Sequence, residues 1–265
     1  MADYTHLFTP IDLRHKTLKN RIVFGAHTSN MSADGTPGDR HFGYYRERAR
    51  GGAAMIVIEP SPAHRTGVLI RANFLHDDDA VIPHFRRITD ECHNHGTVMM
   101  HQIYHVGGHG DQDNSWEPYW SPSGKPSMHD PWGSHAVTEA EIEELIEGFV
   151  QAARRDRDAG FDGVDIFAGY NCLVDQFWSP ITNRRDDRWG GDLDNRSHFA
   201  VRVLEGIRGA VGEDFIVGLA VTGDGTGPGG LDLAARTEIL ARLDGGGLMD
   251  YVAVGTGTFL DADRA

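Results

Sequence analysis

Residues 138–167 read TEAEIEELIEGFVQAARRDRDAGFDGVDIF. Thr138 and Glu141 have capping-box spacing, so each side chain can satisfy a backbone N–H that a helix start leaves unpaired. Ile142, Leu145, Ile146, Phe149 and Ala153 then fall on one helical face. Ala159-Gly160 closes the helix, because glycine adopts the left-handed C-terminal conformation without steric cost. The next residues, Phe161–Phe167, are almost continuously apolar, as in a parallel strand buried on both faces. The stretch therefore predicts a helix that feeds directly into a strand.

The same alternation extends outward. Further strands are expected at Arg21–Ala26, Ala53–Glu59, Thr97–Gln102, Phe215–Val221 and Tyr251–Gly255. A helix is expected to start near Asp192, an N-cap residue type, with Val201, Leu204, Ile207 and Val211 as its apolar stripe. Strand–helix alternation predicts an α/β fold with a parallel sheet. No G-x-G-x-x-G follows the first strand. The segments after strands three and four, Tyr104–Val137 and Ala168–Asp192, are long, like the active-site loops on the C-terminal face of a barrel. A TIM (β/α)8-type barrel is expected over a doubly wound sheet, with six of eight strands in a single, C-terminally incomplete domain over residues 1–265. Gly223–Gly230 (GDGTGPGG) reads as a flexible loop.

The 265 residues suffice for one large domain with a sizeable core. A net charge of −14 disfavours nucleic acid and anionic membranes as partners. No apolar run approaches the ~20 residues of a membrane helix, and Met1–Pro10 lacks a secretory pattern. Two distant cysteines, Cys92 and Cys172, suggest neither a disulfide framework nor a zinc site. A cytoplasmic protein acting on a small molecule is expected, with oligomeric state open.

In a barrel, function gathers where the strands end. Those ends read Gly25-Ala26-His27-Thr28, Glu59-Pro60-Ser61, Gln102-Ile103-Tyr104-His105 and Phe167-Ala168-Gly169-Tyr170-Asn171-Cys172. Small residues permit close backbone approach, and an amide such as Gln102 both donates and accepts, so this composition suits a flat heteroaromatic cofactor. His27, His105 and His109 match no specific zinc spacing, and no metal site is expected from them.

Several segments carry a more specific signal. Asp162-Gly163-Val164-Asp165-Ile166 is followed by Asp175-Gln176-Phe177-Trp178-Ser179-Pro180 and then by NRRDDRWGGDLDNR, residues 183–196. This resembles the strand-four loop of Old Yellow Enzyme relatives, the 2,4-dienoyl-CoA reductase, NADH:flavin oxidoreductase and trimethylamine dehydrogenase group. Leu7-Phe8-Thr9-Pro10, Lys19-Asn20-Arg21-Ile22, residues 49–54 and residues 102–107 resemble the family's opening and its second and third strands. A closer kinship with the mycofactocin-associated subgroup is also suggested. For residues 183–196 a structural role is expected: ion pairs lock the loop and Asp192 caps the next helix.

The resemblance implies an oxidoreductase that passes hydride through N5 of FMN, with a nicotinamide (NAD(P)H) or a carrier protein as electron partner. Ala26, His27 and Thr28 would line the flavin at strand one, Pro60 at strand two, and Gln102 would bond the pyrimidine edge. Thr28 stands where trimethylamine dehydrogenase has a cysteine bonded to flavin, so non-covalent FMN is expected. An iron–sulfur cluster would belong only to a part beyond Ala265. Strands seven and eight, which hold the flavin phosphate in this family, would also lie beyond it.

The sequence departs from the family at the reaction site. Ene-reducing members carry a His-x-x-His or His-x-x-Asn pair that holds the substrate carbonyl oxygen; here Phe167 and Tyr170 occupy those positions. Cys172 replaces the usual proton-donating tyrosine. Ala220 replaces an arginine near the flavin N1 and O2 atoms, so another cation would have to substitute. Tyr170 is the expected substrate-facing polar group, with Cys172 behind it. Phe167, Tyr170, Tyr104 and Trp178 would form an aromatic wall, and aromatic faces attract alkylammonium groups. The substrate is expected to be an unsaturated carbonyl compound or an N-methylated amine. A non-flavin barrel lyase or isomerase, and an inactive fragment or binding module, are the alternatives.

Overall fold

The computed structural model describes residues 4–70, 72–109, 118–126, 133–223 and 231–256. Its strands are β1 (Ile11–Leu13), β2 (Lys16–Leu18), β3 (Val23–Phe24), β4 (Met55–Pro62), β5 (Val98–Tyr104), β6 (Trp120–Ser121), β7 (His135–Ala136), β8 (Gly163–Ala168), β9 (Ile216–Thr222) and β10 (Tyr251–Gly255). The helices are α1 (Asp39–Arg50), α2 (Ile82–His93), α3 (Glu139–Asp158), α4 (Leu173–Trp178), α5 (Leu193–Val211) and α6 (Leu233–Gly245).

The main sheet runs β3-β4-β5-β8-β9-β10, and every neighbouring pair is parallel. The order follows the chain and never reverses. A doubly wound sheet needs a reversal point, whereas a barrel winds in one direction. Consecutive helices α1, α2, α3, α5 and α6 pack side by side outside the sheet. The sheet is thus the six-strand part of a (β/α)8-type barrel.

Residue alternation explains the apolar strands. Ile56, Ile58 and Met99 face the helices and join the main core. Met55, Val57, Val98 and Met100 face the barrel interior, where Leu13 and Leu18 of the β1–β2 hairpin close the floor. Both faces are buried, so polar residues are few except where they serve a site. On α3, Ile142, Leu145, Ile146, Phe149 and Ala153 are all buried. Each large side chain in that stripe contributes about 1.5–3 kcal/mol by leaving water.

All six expected strands form; the last has the expected bounds, the first is shorter, and the four between them run one to three residues further toward the cleft. The strand expected at residues 21–26 pairs only over Val23–Phe24, so Gly25 and Ala26 are free to line the cleft. β4 runs past Glu59 to Pro62, with a register break against β5 between Ile58 and Ser61. Such a bulge re-aims side chains. Pro60 consequently faces the cleft while Ser61 reaches His101 on the helix side. The Thr138–Glu141 capping box and the Asp192 N-cap are both formed. Residues 224–230 of the expected glycine-rich loop lie outside the described residues.

Candidate active site

At the C-terminal ends of the strands lies a cleft of about 500 Å³. Its walls include Ala26, His27 and Thr28 after β3, Pro60 in β4, Gln102 in β5, and Phe167, Tyr170 and Cys172 at the end of β8. Every site residue expected from the sequence therefore borders one space. Tyr104, Ala220, Thr222 and Gly255 add to the wall. Trp178 does not: the α4 turn carries its ring into the main core, fully buried, and the expected aromatic wall lacks it.

The turn after β8 is built under constraint. Tyr170 and Asn171 have φ of 51° and 59°. Two successive non-glycine residues in the left-handed region cost of order 1–3 kcal/mol each and persist only where neighbours hold them. Here the Tyr170 N–H donates to Thr222 Oγ1 (2.8 Å), and the Asn171 N–H donates to Asp175 Oδ2 (3.0 Å). Gln176 Nε2 donates to the Asn171 carbonyl (2.7 Å). Asp175 is itself buried against Arg236 at 2.9 Å. The Tyr170 hydroxyl donates to the Thr256 carbonyl at 3.2 Å, which brings β10 to the turn. The Phe167 and Tyr170 rings meet edge to face at 5.5 Å and 77°.

Below the cleft, Gln102 Nε2 donates to Asp165 Oδ1 (2.9 Å) and the Tyr251 hydroxyl donates to Asp165 Oδ2 (2.6 Å). Burial raises the Asp165 carboxyl, and the two donors offset only part of that shift. The interaction orients the Gln102 amide and leaves its Oε1 for another partner. Burial also pushes the Cys172 thiol up, so it stays protonated and is a weak acid.

A second clamp holds the loop after β3. Glu59 is fully buried and accepts from the Ser29 N–H (2.8 Å) and Ser29 Oγ (2.7 Å). The Tyr45 hydroxyl donates to Glu59 Oε1 at 3.4 Å and accepts from the Glu59 N–H at 3.0 Å, and His41 Nε2 lies 3.3 Å from Oε1. Ser29 follows Thr28, so Glu59 fixes the residues that border the cleft. Sequence reading named neither Glu59, Asp165 nor Tyr251 as a site residue. Their signal was a charged or hydroxylated residue inside an otherwise apolar strand.

The three histidines near the strand ends have separate partners. His27 Nε2 pairs with the Tyr44 hydroxyl at 2.6 Å, and His109 Nε2 with the Asn171 amide at 2.7 Å. His105 accepts the Gly107 N–H through Nδ1 (2.9 Å) and pairs with Thr66 through Nε2 (3.0 Å). Burial lowers its pKa to about 3, so it is neutral. The loop over residues 183–196 is held by the expected ion pairs, among them Arg188 with Glu139 and Glu143, and also by backbone carbonyls. Asn183 donates to the carbonyls of Phe177 and Trp189, and Arg185 Nη1 to those of Pro122 and Val137, while Arg185 pairs with Asp187 at 2.5 Å.

Residues 6–238 match the NADH:flavin oxidoreductase / NADH oxidase family. The chain belongs to that family. It is 36% identical, over 94% of its own length and 36% of the relative's, to the N,N-dimethylglycine/sarcosine dehydrogenase of Chromohalobacter salexigens. It is 39% identical, over 94% and 37%, to the probable N-methylproline demethylase of Rhizobium meliloti. A solved 2-naphthoyl-CoA reductase superposes with a TM-score of 0.92 at 26% identity, covering 97% of this chain and 41% of that one. The chain thus spans roughly a third of the length of these curated relatives. No helix among the described residues is long and apolar enough to cross a membrane.

Proposed function

We propose that this chain is the flavin-binding part of an oxidoreductase that oxidatively demethylates a small N-methylated amine, with NAD(P)+ or a carrier protein as the electron acceptor. The single observation that carries this reading is the Phe167–Tyr170 ring pair on the cleft wall, at the positions where ene-reducing members hold a carbonyl oxygen. Hydride delivery to an enone builds negative charge on that oxygen, which polar donors stabilise. Two aromatic rings offer little to an anion, but their faces favour an N-methyl or alkylammonium group. The two curated relatives described above are named for N-methylated substrates.

The residues fit FMN. Gly25, Ala26, Ala220 and Gly255 leave room along the cleft for a flat ring. Gln102, oriented by Asp165, would meet the pyrimidine edge, and Ala26, His27, Thr28 and Pro60 would border the ring. FMN, when bound, supplies the acceptor for a hydride taken from an N-methyl carbon. An amine bound as its ammonium ion first releases its N–H proton to water; the freed lone pair then forms an iminium as the hydride leaves, and water converts this to formaldehyde and the demethylated amine. Phe167 and Tyr170 would position the N-methyl group, and the buried Cys172 thiol would keep that wall neutral.

Anaerobic mixing tests the reading. N,N-dimethylglycine or N-methylproline should bleach the visible absorbance of the FMN-loaded protein and release one formaldehyde per flavin reduced. Bleaching by neither amine, together with reoxidation of the NADH-reduced protein by an enone, would assign the cleft to alkene reduction instead.

A further inference from the structure

On the helix side of the sheet, away from the cleft, three buried groups converge. His76 precedes α2, His101 lies in β5 next to Gln102 but on the opposite face, and Asp156 lies in the last turn of α3. All three side chains are fully enclosed. One ligand atom from each lies within 4.8 Å of the others. His101 Nδ1 is 2.6 Å from Asp156 Oδ1, and His76 Nε2 is 3.3 Å from the same oxygen.

Their hydrogen bonding is incomplete. Neither His76 ring nitrogen nor Asp156 Oδ2 has a hydrogen-bond partner. Among the described residues, the ion-pair partners of Asp156 are the two imidazoles, with no lysine or arginine against it. Phe85 packs on both rings and Phe161 stacks on His101 at 5.3 Å, so the surroundings are apolar. His101 bonds Asp156 Oδ1 directly, but Oδ2 is enclosed without a partner, which is costly in such surroundings.

We propose that His76, His101 and Asp156 form a buried zinc site that ties β5 to α3 behind the cleft. Two imidazole nitrogens and one carboxylate oxygen supply three of the four positions of tetrahedral zinc, and a water would take the fourth. With Nδ1 of His101 on the metal, its Nε2–H donates to Ser61 Oγ at 2.8 Å. Metal-ligating histidines characteristically fix their second nitrogen in this way. The ion would give Asp156 Oδ2 and a His76 ring nitrogen a ligand bond where neither has a hydrogen bond. The enclosure keeps substrate away from the fourth position, so the role is structural. The ligands come from three segments far apart in sequence, and binding would therefore stabilise the folded chain.

The test is zinc content by mass spectrometry of protein purified without metal-affinity resin. About one zinc per chain is expected, falling below roughly a tenth in His76→Gln and Asp156→Asn, with FMN content unchanged. Should a variant not fold, the wild-type chain serves: a zinc chelator should lower its Tm and added Zn2+ should restore it. No zinc as purified and none taken up from added Zn2+ would overturn the proposal in favour of a plain His–Asp–His contact. Zinc retained by both variants would place the metal elsewhere and overturn it equally. Neither result bears on the amine reading.

Discussion

At the level of single residues, the cleft is a set of strand-end side chains whose neighbours determine what they can do. Phe167 precedes a turn in which Tyr170 and Asn171 hold left-handed backbone, and Thr222, Asp175 and Gln176 keep that turn in place. The ring pair is therefore preset rather than mobile. If its role is to attract an N-methylated amine, Phe167→Leu should raise KM for such a substrate by about 5-fold, the size of a partly desolvated cation–π contact. FMN content and the Tm should barely move, since leucine fills most of the space. Steady-state kinetics on the amine check this, and an unchanged KM would make the ring mere filler. The positions of these residues were legible in the sequence because the strand ends were. Their supports were not. Nothing in the local pattern announces that Thr222 will catch the Tyr170 N–H from the next strand, or that Glu59 will reach back to Ser29.

Elements succeed or fail by their ends. The α3 start was readable because both capping partners, Thr138 and Glu141, are local: Thr138 Oγ1 accepts from the Glu141 N–H (3.3 Å), and the Glu141 carboxylate accepts from the Thr138 N–H (2.7 Å). Thr138→Ala should cost about 1 kcal/mol. In a chain of this size that lowers Tm by roughly 2–4 °C in thermal unfolding. The β4 end was misread because the bulge between Ile58 and Ser61 depends on pairing with β5, a long-range event. At the opposite end of the sheet, Asp162 ties three elements. It accepts from His93 Nε2 (2.8 Å) and the Met99 N–H (2.8 Å), and pairs with Lys16 Nζ (2.7 Å). Burial alone would raise its pKa, but these donors outweigh burial and hold it below the usual aspartate value. A folded pKa below the unfolded one adds stability above the unfolded value, and that stability is lost as pH falls through the folded value. Wild type and Asp162→Asn should thus differ most in unfolding free energy at neutral pH and converge in acid. A pH-independent gap in urea titrations would refute this account.

The whole molecule depends on what fills the barrel interior. β5, β8 and β10 meet there through Gln102, Asp165 and the Tyr251 hydroxyl, and β9 passes between β8 and β10. Tyr251 crosses that gap over Gly218, its register partner on β9. A Cβ at Gly218 would overlap the Tyr251 ring and hydroxyl. The sequence shows a glycine within an apolar strand and a tyrosine opening the last one, but not that the first makes room for the second. That pairing appears only once the strands wind in a single direction. It predicts that Gly218→Ala displaces the Tyr251 ring, breaks its bond to Asp165 and frees the Gln102 amide to turn. Overpacking of this kind costs about 1–3 kcal/mol, and the lost hydrogen bond adds about 1 kcal/mol. FMN affinity should fall as well, because the amide beneath the cleft loses its orientation. If the overlap is the cause, Tyr251→Ala in the same chain should make room for the new methyl. The double variant should then be less destabilised than the two single losses combined, a coupling readable by urea unfolding of all four proteins. Additive losses would mean that Gly218 is needed for its backbone rather than for the space it leaves.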